Sequence, residues 1–181
     1  WMSENLRYLP SVVGPAIGST TVPYYYVYGY EGTDVNQAKE TTNFNTYGVL
    51  YNWPAIMAGS SSSSTNPSNI RGICPDGWHL PSEAEWVELE TYLSGNGYNY
   101  DETSGGSGDK IAKSMAAENG WRTAGESGTL GSTQYVTQRN YSGFSALPSG
   151  NRGHGAPFYG LFGYGFWWSA TQNTDNSAIY V

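Results

Sequence analysis

The sequence predicts an α+β domain with two main helices, short antiparallel strands and extensive loops. Three observations lead there: a capped amphipathic helix opens at Ser82, aromatic-rich segments of strand composition flank it, and turn residues punctuate the stretches between. With 181 residues the chain has the length of one domain, 1–181, with a single substantial core.

Composition narrows the function. Charged residues are only 13% and hydrophobic residues 38%, so Ser, Thr, Asn, Gly and Tyr must make much of the surface. A net charge of −7 with only 8 Lys and Arg excludes a nucleic-acid partner, because phosphate binding needs a basic face. No stretch reaches the length of a membrane-spanning helix. The single Cys74 excludes an internal disulfide and a cysteine-based zinc site. Sixteen Tyr and 7 Trp beside 24 Gly suit a recognition surface, where rigid aromatics give contact area and small residues adapt. The same aromatics can also fill an irregular core, and both uses are expected.

In chain order, residues 10–22 read as a surface loop, and Tyr24–Tyr30 as a strand with Tyr24, Tyr26 and Tyr28 on one face. Residues 33–46 form a polar excursion with weak helical character over Asp34–Lys39. Pro54 suits the start of a short helix ending at Gly59. The Ser60–Asn69 run is low in complexity and reads as mobile.

Ser82 and Glu85 make a capping box, and Trp86, Leu89 and Leu93 recur at helical spacing over a helix of about residues 82–94. Gly95 is its expected C-terminal cap. Glu83, Glu85, Glu88 and Glu90 lie off the apolar stripe and read as a solvated face. Asp109 caps a second helix, Lys110–Asn119, that buries Ile111 and Met115. Residues 123–142 form a long polar loop. The expected core is Trp53, Trp78, Leu80, Trp86, Leu89, Phe144, Leu147 and Trp168, with His79 a satisfied buried imidazole and Cys74 a small buried hydrophobe.

Five ordered pieces carry a resemblance. They are Trp1–Tyr8, Tyr47–Trp53, Gly77–Trp86 (Gly-Trp-His-Leu-Pro-Ser-Glu-Ala-Glu-Trp), Gly143–Arg152 and Phe166–Thr171. Together they resemble the Fibrobacter succinogenes major paralogous domain family, found mainly in surface-exposed or lipid-anchored proteins of Bacteroidetes and related bacteria. Gly77–Trp86 is also similar to a helix of the formylglycine-generating branch of the C-type-lectin-like fold. The resemblance implies that fold, with the outermost terminal strands absent from this chain. It also implies an extracellular or outer-membrane location.

Catalytic and metal chemistry find little support. Formylglycine-generating relatives use a copper-bound pair of cysteines, and Cys74 stands alone. The sugar-binding triplets of calcium-dependent lectins are absent. Asn173, Asp175 and Asn176 offer one carboxylate among three, which fits an Asx-rich turn better than a calcium site. His154, in a glycine-rich loop, is expected to be exposed and has no catalytic partner in sequence. No cofactor is implied.

What remains is recognition. Residues 151–165 combine Gly with Phe158, Tyr159, Phe162 and Tyr164, and with residues 172–177 they form the candidate binding face. Arg152, Tyr159, Tyr164, Asn173, Asp175 and Asn176 are its expected contacts. A lid folded onto the core is the competing reading of the same loop. The expected function is a non-enzymatic surface or adhesion module that binds a carbohydrate or protein. The alternatives are an inactive relative or accessory of formylglycine-generating enzymes, and a structural segment of a surface assembly.

Overall fold

The capping box forms as its two residues dictate. The Ser82 N–H donates to a Glu85 carboxylate oxygen at 2.9 Å, and the Glu85 N–H donates to the Ser82 hydroxyl at 3.2 Å. The structure, a computed structural model, describes residues 1–106, 110–153, 157–174 and 177–180. Helix α4 covers Glu83–Gly95, with Trp86 and Leu93 buried and Leu89 half-buried along one stripe. Its end differs from expectation. Gly95 is the last helical residue, and Gly97 takes the left-handed conformation at φ 82°. The N–H groups of Asn96 and Tyr98 both close on the Leu93 carbonyl, at 3.2 and 3.1 Å.

The chain forms two compact units, and the boundary between them falls within α4 after Trp86. The larger unit comprises Asn5–Trp86 and Ser149–Val181. Its elements are β1 (Tyr25–Tyr26), α1 (Val35–Glu40), α2 (Thr42–Tyr47), β2 (Leu50–Tyr51), α3 (Trp53–Met57), β3 (Ser149–Arg152), β4 (Phe158–Leu161), β5 (Trp168–Thr174) and β6 (Ser177–Tyr180). Among the described residues these strands form three two-stranded antiparallel sheets, β1–β2, β3–β4 and β5–β6.

The tyrosine-rich strand is shorter than its composition predicts. The chain turns after Val27, so that Tyr26 and Val27 are both buried and the expected alternation stops. The polar excursion is two short helices. Asp34 caps α1 by accepting from the N–H groups of Asn36 and Gln37, and Thr41 caps α2 by accepting from that of Phe44. They bury Ala38 and Phe44 in a cluster with Leu9, Val12, Val27 and Val49. A second cluster joins Ile56, Met57 and Ala170, with Trp53, Leu80 and Trp168 packed against it.

Polar side chains supply what such short strands cannot. The Asn52 amide makes four bonds: its oxygen accepts from the N–H groups of Tyr24 (2.8 Å) and Ala55 (3.2 Å), and its nitrogen donates to the carbonyls of Ser19 (3.0 Å) and Val22 (2.8 Å). The serine-rich run is pinned rather than free. Ser63 N–H donates to the Ala170 carbonyl at 2.9 Å, the Thr171 hydroxyl donates to the Ser63 carbonyl at 2.9 Å, and Ser68 is buried.

The smaller unit comprises Trp1–Glu4 and Val87–Pro148. Its second helix is a single turn, α5 (Ala112–Met115); Asp109, the expected cap, lies outside the described residues. Ile111 is buried and Met115 half-buried. Lys113 is fully buried, and its ammonium donates to the carbonyls of Thr129 (3.3 Å), Ser132 (3.1 Å) and Gln134. Burial lowers its pKa, and the Arg139 charge acts in the same direction. That one cation organises much of the long polar loop, which includes a 3-10 turn at Val136–Gln138.

The expected core needs correction. Trp86 is buried (3% exposed), but Trp53, Leu80, Leu89, Phe144, Leu147 and Trp168 are half-buried, and Trp78 is 44% exposed. Trp78 follows a tight turn in which its N–H returns to the Pro75 carbonyl, and this leaves the ring outside. Cys74 is half-buried rather than buried.

Two substitutions test these polar centres. Asn52→Asp keeps the acceptor but turns a carboxylate on two carbonyls, and should cost roughly 3 kcal/mol by denaturant unfolding; a loss under roughly 0.5 kcal/mol would contradict the role given to Asn52. Lys113→Met should cost roughly 2–3 kcal/mol and make residues 129–134 newly sensitive to protease, because the Gln134 carbonyl loses its donor and those of Thr129 and Ser132 each lose one of two. Unchanged proteolysis would show that the loop holds itself.

Candidate functional site

Of the residues expected to bind a ligand, Arg152 and Tyr159 lie on one hairpin of the larger unit, Asn173 on a second, and Tyr164 on the segment between them. In the first, β3 and β4 pair Ser149 with Leu161, Asn151 with Tyr159 and Arg152 with Phe158. Much of the loop predicted over 151–165 is therefore strand. Glycine permits this pairing at close quarters. A Cβ on Gly150, at φ 64°, would lie 2.7 Å from the Tyr159 carbonyl oxygen, and one on Gly160, at φ 78°, would lie 2.7 Å from the Tyr164 ring.

Arg152 faces inward. Its Nε donates to the Pro15 carbonyl at 2.8 Å, and its guanidinium lies 5.5 Å from the centre of the Tyr26 ring, with Gly18 close against it. The Tyr26 hydroxyl donates to the Ile17 carbonyl at 2.8 Å, so Arg152 and Tyr26 together hold the 15–18 loop. Tyr159 (51% exposed) and Tyr164 (56%) face solvent, and so does Asn173 on β5. Asp175, Asn176 and His154 lie outside the described residues.

Phe166, just before the second hairpin, and Tyr180, on it, are aromatic rings that the sequence alone did not place at the site. Tyr164 stacks on Phe166, with ring centres 6.1 Å apart and planes 18° from parallel. Phe166 meets Tyr180 edge-on at 5.4 Å, and Tyr180 meets Trp168 edge-on at 5.8 Å. The register explains the last contact, since Trp168 and Tyr180 are opposed across β5 and β6. Trp168 is fixed from behind, its indole N–H donating to the Tyr51 carbonyl at 2.8 Å. The row thus runs from an anchored tryptophan to Tyr180 (55% exposed), Phe166 (38%) and Tyr164. The signal was present as Phe166-Trp167-Trp168 and Tyr180, but their juxtaposition needs the β5–β6 register.

Glu85 and His79, elsewhere in this unit, serve the fold. Glu85, expected on a solvated face, is nearly enclosed. One oxygen accepts from the N–H groups of Ser68 and Ser82, both at 2.9 Å, and the other lies 2.6 Å from His79 Nε2. His79 is partnered as expected but exposed rather than buried, because its ring reaches out over the cap to Glu85. Burial pushes the Glu85 carboxyl up, yet the Ser82 N–H, the His79 ring and the Ser68 N–H outweigh it and hold the pKa below its ordinary value. Burial pushes the Cys74 thiol up against the opposing charge of Arg71. Among the described residues, no three His, Cys, Asp or Glu side chains converge to hold a metal. No described helix is long and apolar enough to cross a membrane.

These hairpins and side-chain-held loops belong to a mixed α+β fold of helices and small antiparallel sheets. The Fibrobacter succinogenes major domain family matches over residues 1–181, and the chain belongs to that family. No curated protein and no solved structure matches it.

The Glu85 network predicts a specific acid response. A carboxylate with a depressed pKa contributes stability above its unfolded value and loses it as pH falls through the folded value. Thermal melts from about pH 7 to pH 3 should show the advantage of the wild type over Glu85→Gln constant above the ordinary value of 4.5 and shrinking below it. A pH-independent difference would contradict the network.

Proposed function

We propose that this chain is a non-enzymatic recognition module of C-type-lectin-like architecture, displayed on a bacterial surface. It binds a carbohydrate or protein through β4, the segment after it and the β5–β6 hairpin. One observation carries the reading: Tyr164, Phe166 and Tyr180 are exposed yet held ring against ring above an anchored Trp168. Exposed apolar rings cost solubility and stacking order costs entropy, so a fixed exposed row is the kind of surface that a partner covers. Tyrosine joins a broad face to a hydrogen-bonding tip, the combination that most often carries binding energy. The Glu85 carboxylate already caps α4, which fits a role without acid–base catalysis.

A glycan and protein array probed with the 181-residue chain tests this reading. Tyr159→Ala with Tyr164→Ala should weaken capture at least about tenfold while costing no more than about 1 kcal/mol of stability. Unchanged capture by the folded double variant would place the ligand elsewhere. Unfolding would assign those tyrosines to the core.

A further inference from the structure

Resting on that recognition reading, we infer that the ring row Tyr164–Phe166–Tyr180 is a stacking surface for a neutral polysaccharide, bound without a metal ion. Phe166 and Tyr180, outside the contacts that sequence predicts, are then central contacts.

Charge selects the ligand class. The chain carries −7 overall, yet residues 157–174 and 177–180 contain no Lys, Arg, Asp or Glu. The nearest arginine along the chain, Arg152, is spent on Pro15 and Tyr26. An anionic ligand needs cations or convergent N–H donors to replace its hydration, and this surface presents neither Lys nor Arg. Stacked nucleobases come with a phosphate backbone that requires a basic groove, which the net charge opposes. Protein partners are commonly steered and held in register by complementary charges, and the described residues of these two segments have none to offer.

A neutral sugar fits what remains. Its flat C–H face suits an aromatic ring, and its hydroxyl rim suits uncharged donors and acceptors. The Tyr164 and Tyr180 hydroxyls and the exposed Asn173 amide supply these. The rings follow one another from neighbour to neighbour, Tyr164 to Phe166 to Tyr180, an order that suits successive units of a chain more than a single sugar. Their order is set before binding, because Trp168 is anchored through Tyr51 and each ring rests on the next. Less entropy is then lost on contact. Glycine at 160 is part of the device, since a Cβ there would displace Tyr164.

The test is affinity electrophoresis and pull-down of the 181-residue chain on cellulose, glucomannan and, as the acidic comparison, polygalacturonate. At least one neutral polysaccharide should retain the protein, and retention should survive a chelator and about 0.5 M salt. Tyr164→Ala with Tyr180→Ala should lower affinity at least about tenfold, whereas Tyr164→Phe with Tyr180→Phe should keep most of it. Tyr92→Ala, on the smaller unit, should change nothing. The phenylalanine pair preserves the rings, so it keeps the test valid even if the alanine pair fails to fold. Retention only by polygalacturonate, loss with chelator, or undiminished binding by the folded alanine pair would overturn the inference. If every neutral polysaccharide fails while the array finds a protein ligand that needs Tyr159 and Tyr164, this inference falls and the recognition reading stands. If neither kind of ligand is found, both fall.

Discussion

Buried peptide N–H and C=O groups must find partners, and strands of two to seven residues cannot satisfy those of the whole larger unit. Polar side chains do the rest. Asn52 ties Ser19, Val22, Tyr24 and Ala55 together; Glu85 ties Ser68 to the start of α4; Thr171 accepts from the Glu83 N–H and donates to the Ser63 carbonyl. Each of these side chains joins segments far apart in sequence, so each acts as a substitute for a missing sheet neighbour. In the smaller unit Lys113 does the same for the 129–134 loop.

This economy decides which aromatics are left outside. Trp53 and Trp168 use their indole N–H groups to bind the carbonyls of Ser169 and Tyr51, which fixes β5 against α3 and β2. With β5 so held, Tyr180, opposite Trp168, and Phe166, just before the strand, face outward. Tyr180 and Phe166 then pack on the edge of the structure instead of within it. The order of the exposed row thus comes from the polar bonds beneath it, and the link runs from hydrogen-bond satisfaction to surface chemistry.

Much of the local structure was legible. The Ser82–Glu85 box, the Asp34 turn and the Pro54 helix start are written in adjacent residues, and the hydrogen bonds that confirm them span three residues or fewer. Asn5, read as a partner for backbone, donates to the Tyr47 carbonyl at 2.9 Å. Helix α2 left no apolar periodicity in Thr42–Tyr47, and only the Thr41 cap marks it. What the sequence hides is long-range. Nothing beside Lys113 says that it will be buried under carbonyls from residues 129–134, and nothing beside Arg152 says that Pro15 will take its Nε. Trp78 and His79 were read as core because their neighbours are apolar, but a turn places both rings at the surface. For the candidate site, the segment was legible and the inward turn of Arg152 was not. Phe166 and Tyr180 could be brought together only by the register of β5 with β6.

The central claim is that side-chain bonds stand in for regular sheet. Native-state amide hydrogen exchange measures this most directly, because it reads each N–H separately. The amides of Tyr24, Ser68, Ser82 and Glu83 lie outside the strands or at a helix start, and each donates to a side chain of a distant or capping residue. The account predicts that these four exchange as slowly as the amides within α4. Exchange at the rate of amides in an exposed turn, such as those of Asp76 and Gly77, would contradict it.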